Sequence, residues 1–194
     1  MRSTRLALAA CAVLLLGACL PVTTKTPVGS TAGFANDPSL AGTWVGSTKG
    51  DPAVSYFHFL PKEDKTITLV GVTPPQKDEK GGWGTYTLQT TVLGKNHYMN
   101  AHEWLDDGKP ADQKAQEANV TVYYTIEGDT LKAYLFDEDK VKALIASHKI
   151  AGTVDPGQFG DVHITEDATK LDAMLTKPDA SRLFTLLVTL HRVK

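Results

Sequence analysis

The chain is poor in the residues that most often announce a mechanism. Two cysteines occur in 194 residues, Cys11 and Cys19, and both lie in the first tenth of the sequence. A disulfide framework for the main body is therefore excluded, and the body must fold on its hydrophobic core alone. The one long apolar run, Leu6 to Leu16, is well short of the roughly 20 residues that span a bilayer as a helix. No Gly-x-Ser-x-Gly elbow, phosphate-binding loop, Gly-x-Gly-x-x-Gly turn or His-Glu-x-x-His pair is present. The formal charge is −2 with no basic stripe, so nucleic acid is not an expected partner. No metal, cofactor or catalytic residue is expected from these patterns.

What is present begins at the N-terminus. Arg2 and Arg5 precede the apolar run Leu6 to Leu16, and the small residues Gly17 and Ala18 lead into Cys19. That order of charge, grease and small residues is a secretory signal. Leu16-Gly17-Ala18-Cys19 resembles the lipobox of bacterial lipoproteins. Leu8-Ala9-Ala10-Cys11 fits the same pattern but leaves no room for a full apolar region before it. The resemblance implies cleavage before Cys19, a diacylglycerol on its thiol and acylation (palmitate or similar) of the new amine. Two or more acyl chains hold a protein on a membrane where one barely does. Leu20, in place of the aspartate that retains such proteins at the inner membrane, implies an outer-membrane protein facing the periplasm. The alternative is an ordinary signal peptide with a chance cysteine. Removal of the first 18 of 194 residues leaves 176 and takes the formal charge from −2 to −4, with no free thiol if Cys19 is lipidated.

Residues 20 to 39 are rich in Pro, Gly, Ser and Thr without periodicity. They read as a flexible tether that would separate anchor from domain by roughly 25 Å. From residue 40 to 194 the chain reads as one domain. Period-two patterning is clearest at 84–93 and 119–127. In the latter, Val120, Val122, Tyr124 and Ile126 share one face. Gly128-Asp129 turns the chain back into Leu131, Ala133 and Leu135, a hairpin. Further strands are expected at 42–48, 54–60, 65–72, 96–105, 161–165 and 184–193, and helices at 138–147 and from Thr165 to Pro178, with a short turn at 179–183. The fold class is mainly β (α+β): an antiparallel barrel or strongly curved sheet of about eight strands, with two short helices before the last strand.

Gly42-Thr43-Trp44 on the first strand and Arg192 near the end of the last resemble the lipocalins and their calycin relatives. In those proteins a Gly-x-Trp on the first strand is covered by a late arginine. The likeness implies that Arg192 packs across Trp44 and closes one end of a barrel, a structural role. The hairpin Gly128-Asp129-Thr130-Leu131 before an acidic helix also looks like a layout found in envelope lipoproteins without an assigned activity.

The richest cluster of chemistry-bearing side chains is Asn96-His97-Tyr98-Met99-Asn100-Ala101-His102-Glu103-Trp104. On a strand His97 and Glu103 share a face and His102 does not, so this strand alone cannot gather three metal ligands. The pair can be part of a ligand site, a base with its orienting carboxylate, or polar residues on a solvated or lumen side. Asp161 and His163 share a face in the same way, without a serine partner. His58, among Tyr56, Phe57 and Phe59, reads as a satisfied core or lumen histidine. Gly81-Gly82-Trp83-Gly84 reads as a rim or lid carrying an aromatic, or as a hairpin turn. Tyr98, Trp104 and Tyr123 belong to a cavity lining or an outer wall.

Expected ligand contacts are thus His97, Glu103, Trp83 and Tyr98. The expected role is non-catalytic binding of a small apolar ligand or of an envelope partner, with a partner-binding module lacking a ligand, or a hydrolase, as the alternatives. The anchor has its own check. Cys19→Ser is expected to move the protein from the membrane pellet to the soluble periplasmic fraction; unchanged sedimentation with membranes would remove the lipid anchor.

Overall fold

The computed structural model describes residues 21–48, 53–75, 80–111, 113–155 and 161–194. The lipobox-like stretch lies outside them. The strands in chain order are β1 (Thr23–Thr24), β2 (Gly42–Thr48), β3 (Ser55–Pro61), β4 (Ile67–Thr73), β5 (Gly82–Leu93) and β6 (Asn96–Asp106). They continue with β7 (Lys109–Pro110), β8 (Asn119–Glu127), β9 (Thr130–Phe136), β10 (Gly152–Val154), β11 (Val162–Ile164) and β12 (Phe184–Arg192). The helices are α1 (Gln113–Glu117), α2 (Glu138–Ala146) and α3 (Ala168–Leu175).

Eight of the strands form a closed antiparallel barrel. β2 to β6 pair in succession, β6 pairs with β8, β8 with β9, β9 with β12, and β12 returns to β2. Closure removes the sheet edges that would otherwise invite aggregation. Alternation builds the inside: on β3, Ser55, Phe57 and Phe59 are buried, while Tyr56 and Leu60 face outward. The barrel core runs from Leu40 and Trp44 through Phe59, Ile67, Leu88, Tyr124 and Leu131 to Leu190. On β5 the period-two pattern places Val92 with Tyr86, Leu88 and Thr90; those three are buried, whereas Val92 is exposed.

The helices α2 and α3 lie between β9 and β12 in sequence, as the pattern predicts. Each starts at an aspartate whose carboxylate takes backbone N–H groups left free by the first turn: Asp137 from Lys140, and Asp167 from Thr169 and Lys170. Their apolar sides build a second core outside the barrel wall. There Val141, Leu171 and Leu175 meet Tyr98, Phe136 and Phe184.

The N-terminal stretch corrects the expectation of a tether at 20–39. Residues 21 to 40 lie on the barrel. β1 pairs with β8 and β11, and Val22 and Val28 are buried in the outer core. The Val28 backbone exchanges two 2.8 Å hydrogen bonds with the Asn100 side chain. The buried carboxylate of Asp172 on α3 accepts from Gly29 N at 2.7 Å and from Thr31 N at 3.2 Å. The segment then crosses the wall, where Ala35 N donates to Thr90 O, and ends in a 3-10 turn, Pro38–Leu40. The composition that signals disorder is here compatible with order because side chains on distant strands hold its backbone.

That turn closes one end of the barrel. Leu40 is fully buried, and its carbonyl accepts the Trp44 indole N–H at 2.8 Å. Arg192 lies opposite Trp44 in the β12–β2 register. Its guanidinium sits 4.1 Å from the Trp44 ring centroid and donates to the Ala41 and Ser39 carbonyls, each at 2.6 Å. Gly42 stands at φ +114°, and a Cβ there would meet the Arg192 Nη1 at 3.2 Å, so both the backbone and the arginine call for glycine. Trp44→Ala should destabilise the fold by about 3–5 kcal/mol and lower Tm by on the order of 10 °C; an unchanged Tm would take Trp44 out of the core.

Candidate functional site: the barrel lumen and its ends

The barrel leaves a void of about 90 Å³ among side chains such as Phe57, Tyr86, Met99, Val122, Ala133 and Val188, and its exposed lining is almost wholly apolar. The Trp44–Arg192 closure lies at one end. Toward the other, Leu135 and Leu187 line the void and are only half-buried. The size bounds the occupant. Pockets for drug-sized ligands run to about 300–1,000 Å³, and a dry cavity of about 150 Å³ holds benzene. The lumen suits a molecule of a few heavy atoms.

The four residues expected to contact a ligand do not converge. Glu103 is buried on the lumen side, opposite Tyr86 in the β5–β6 register, but above the void. His97 shares that face yet sits six residues away, about 20 Å along the strand, at the plugged end. The two therefore do not form an acid–base pair. Tyr98 is a correction of a different kind: it points outward, is fully buried in the outer core, and donates its hydroxyl to the Leu175 carbonyl at 2.8 Å. Burial, with Tyr123 beside it, raises its pKa well above the ordinary range. Trp83 lies on the outer wall within β5 and not on a lid. Its backbone N–H donates to the Asp107 carboxylate at 2.8 Å, and its ring lies against Gly108.

The secondary candidates are likewise structural. His58 faces outward, with Nδ1 3.0 Å from the Thr43 hydroxyl, so it is neither core nor lumen. His163 Nδ1 sits 2.8 Å from the Thr23 hydroxyl and helps to fix β1 on β11. Tyr123 belongs to the outer wall beside Tyr98, at a ring-centroid distance of 5.7 Å. The side chain of Trp104 lies outside the described residues. Among the described residues, no group of three or more His, Cys, Asp or Glu side chains is placed to hold a metal ion.

The plugged end carries a cluster that pattern reading missed. Asp37 caps the 3-10 turn through Ser39 N at 2.9 Å and accepts the Tyr124 hydroxyl at 2.8 Å. His97 Nδ1 stands 3.6 Å from the same carboxylate, and the His97 ring meets Tyr124 edge to face at 5.5 Å. An aspartate before Pro38 is a helix-start signal, legible only if the stretch is not first set aside as a tether. The outer wall also carries a row across four strands, Val45, Tyr56, Val72 and Trp83, each opposite the next in register. Tyr56 and Trp83 are each 38% exposed.

No family model, no curated protein and no solved structure matches the chain. The reading of its site therefore rests on its own geometry.

Partial burial opposes ionisation of Asp37, but the bonds from Ser39 and Tyr124, aided by His97, outweigh it and hold its pKa below the ordinary 3.8. A group depressed on folding stabilises the fold above its unfolded value and ceases to do so as pH falls through its folded value. Stability should therefore drop as acidification passes below about pH 3.8, and Asp37→Asn should flatten that part of the profile in acid-titration melts; an identical profile in the variant would show that Asp37 contributes nothing to it.

Proposed function

We propose that this protein is a lipid-anchored, non-catalytic component of a bacterial cell envelope, held through Cys19 at the outer membrane on the periplasmic side, whose barrel lumen takes a small apolar molecule. The observation that carries the ligand reading is the apolar void in a closed barrel, plugged at one end and bordered at the other by half-buried leucines. The non-catalytic reading is supported by the separation of His97 from Glu103 and by the engagement of His163 with Thr23. A second reading, docking of an envelope protein on the outer wall, is favoured by the row Val45–Tyr56–Val72–Trp83. In that row Tyr56 and Trp83 are exposed and Val45 and Val72 half-buried beside them.

Methionine reports the lumen directly. The chain has three, Met1, Met99 and Met174; Met99 lines the void and Met174 does not. With methyl-¹³C-methionine labelling, xenon pressure should shift the Met99 methyl resonance saturably. Ala133→Leu, which fills the space, should abolish the shift at a cost of about 1–3 kcal/mol in stability. A Met99 resonance insensitive to xenon would make the lumen a plain core and leave the outer row as the functional surface.

A further inference from the structure

The outer flank holds a larger concavity that the lumen reading leaves unused. It lies between α2 and α3, measures about 720 Å³ and is open to solvent. Its floor is apolar: Leu144, Met174 and Leu183 are half-buried there, over Ile150 and Leu171. Its rim is cationic, with Lys149, Lys170, Lys177 and Arg182 all exposed.

Two acids share the rim, and one is already engaged. The Glu166 carboxylate accepts the backbone N–H groups of Ala151 at 2.9 Å and Asp167 at 3.0 Å, and stands 3.6 Å from Lys170. The other, Asp179, is exposed. Among the described residues, no carboxylate forms an ion pair with Lys149, Lys177 or Arg182. Neither half of the groove is served by a simple ligand. An inorganic anion would leave the apolar floor wet, and a neutral apolar molecule would leave the cations unused. An amphiphilic anion satisfies both, its phosphate on the lysines and arginine and its first methylenes on the leucines and methionine.

The chain itself points to the source. Val22 is packed in the same outer core as Ile150 and Leu171, which floor the groove. Cys19 precedes Val22 by three residues, a span of at most about 11 Å when fully extended. An anchor at Cys19 thus holds this flank against the bilayer.

We infer that the α2–α3 groove binds the head and first methylenes of an anionic phospholipid from the membrane that anchors the protein. The lipid source rests on the Cys19 reading; the chemistry of the groove does not. The test uses the full chain with methyl-¹³C-methionine, because Met174 reports the groove and Met99 the lumen. Dodecyl phosphate below its micellar concentration should shift Met174 and leave Met99 in place. The double variant Lys177→Glu/Arg182→Glu should weaken that response at least tenfold with Met99 unchanged, which certifies the fold. An unmoved Met174, or an equal response to neutral dodecyl maltoside, would overturn the site. In a second arm the lipidated chain is placed in nanodiscs. Replacing phosphatidylcholine with phosphatidylglycerol should move Met174, and a response confined to the soluble amphiphile would overturn the membrane source. Failure of the chain to enter nanodiscs at all would sink the Cys19 anchor and with it the lipid source, while the dodecyl phosphate arm still decides the groove.

Discussion

The seam between the first and last barrel strands is the constraint on which the rest depends. Arg192 is the last residue of β12 and faces Trp44 across the seam. Stacked on the indole and bonded to the carbonyls of Ala41 and Ser39, it ties three parts of the chain together. These are the final strand, the first strand and the turn that plugs the barrel. A cation over an indole contributes on the order of 0.5–2 kcal/mol; two charge-assisted hydrogen bonds to carbonyls add to it. With the seam shut the lumen is closed at that end, and Leu40 is a plug instead of an exposed apolar side chain.

The second dependency is the outer core. Most small barrels face water on the outside, but here β6, β8, β9 and β12 are covered by α2, α3 and the N-terminal segment. One aspartate and three asparagines do much of the fastening. Asp172 and Asn100 hold the segment at Gly29 and Val28, Asn119 donates to Thr24 O, and Asn96 ties β6 to the end of α3. One flank is therefore padded by a second layer, while the opposite wall carries the row from Val45 to Trp83 on β2 to β5.

These two facts explain what was legible in the chain. The strands and the two long helices follow from short-range period and capping, and their positions agree with the structure to within about three residues at most ends. The eight-strand barrel was legible because hydrophobic alternation and turn residues repeat along it. Which face of β6 is inside was not, since both faces are buried: Met99 and Ala101 inward, Tyr98 and Asn100 under the outer layer. Alternation alone therefore does not tell whether Tyr98 faces the lumen or the outer core. The N-terminal segment was illegible because partners such as Asn100 and Asp172 lie 72 and 143 residues away and leave no local pattern. His97 and Glu103 were correctly placed on one face, but a shared face says nothing about the 20 Å of strand between them. The groove escaped because Lys149 and Lys177 come from segments that touch only in the fold.

The seam also has a meaning in time. β2 and β12 are joined by a loop of more than 130 residues, and a loop that long must be closed before its pairing gives anything back. A chain that emerges N-terminus first cannot shut the barrel until the nine residues of β12 have arrived. Up to that moment β2 has one unpaired edge, and the plug at Leu40 has no arginine to hold it. Until β12 docks, the edge of β2 that it covers stays open to chaperones, proteases and neighbouring chains.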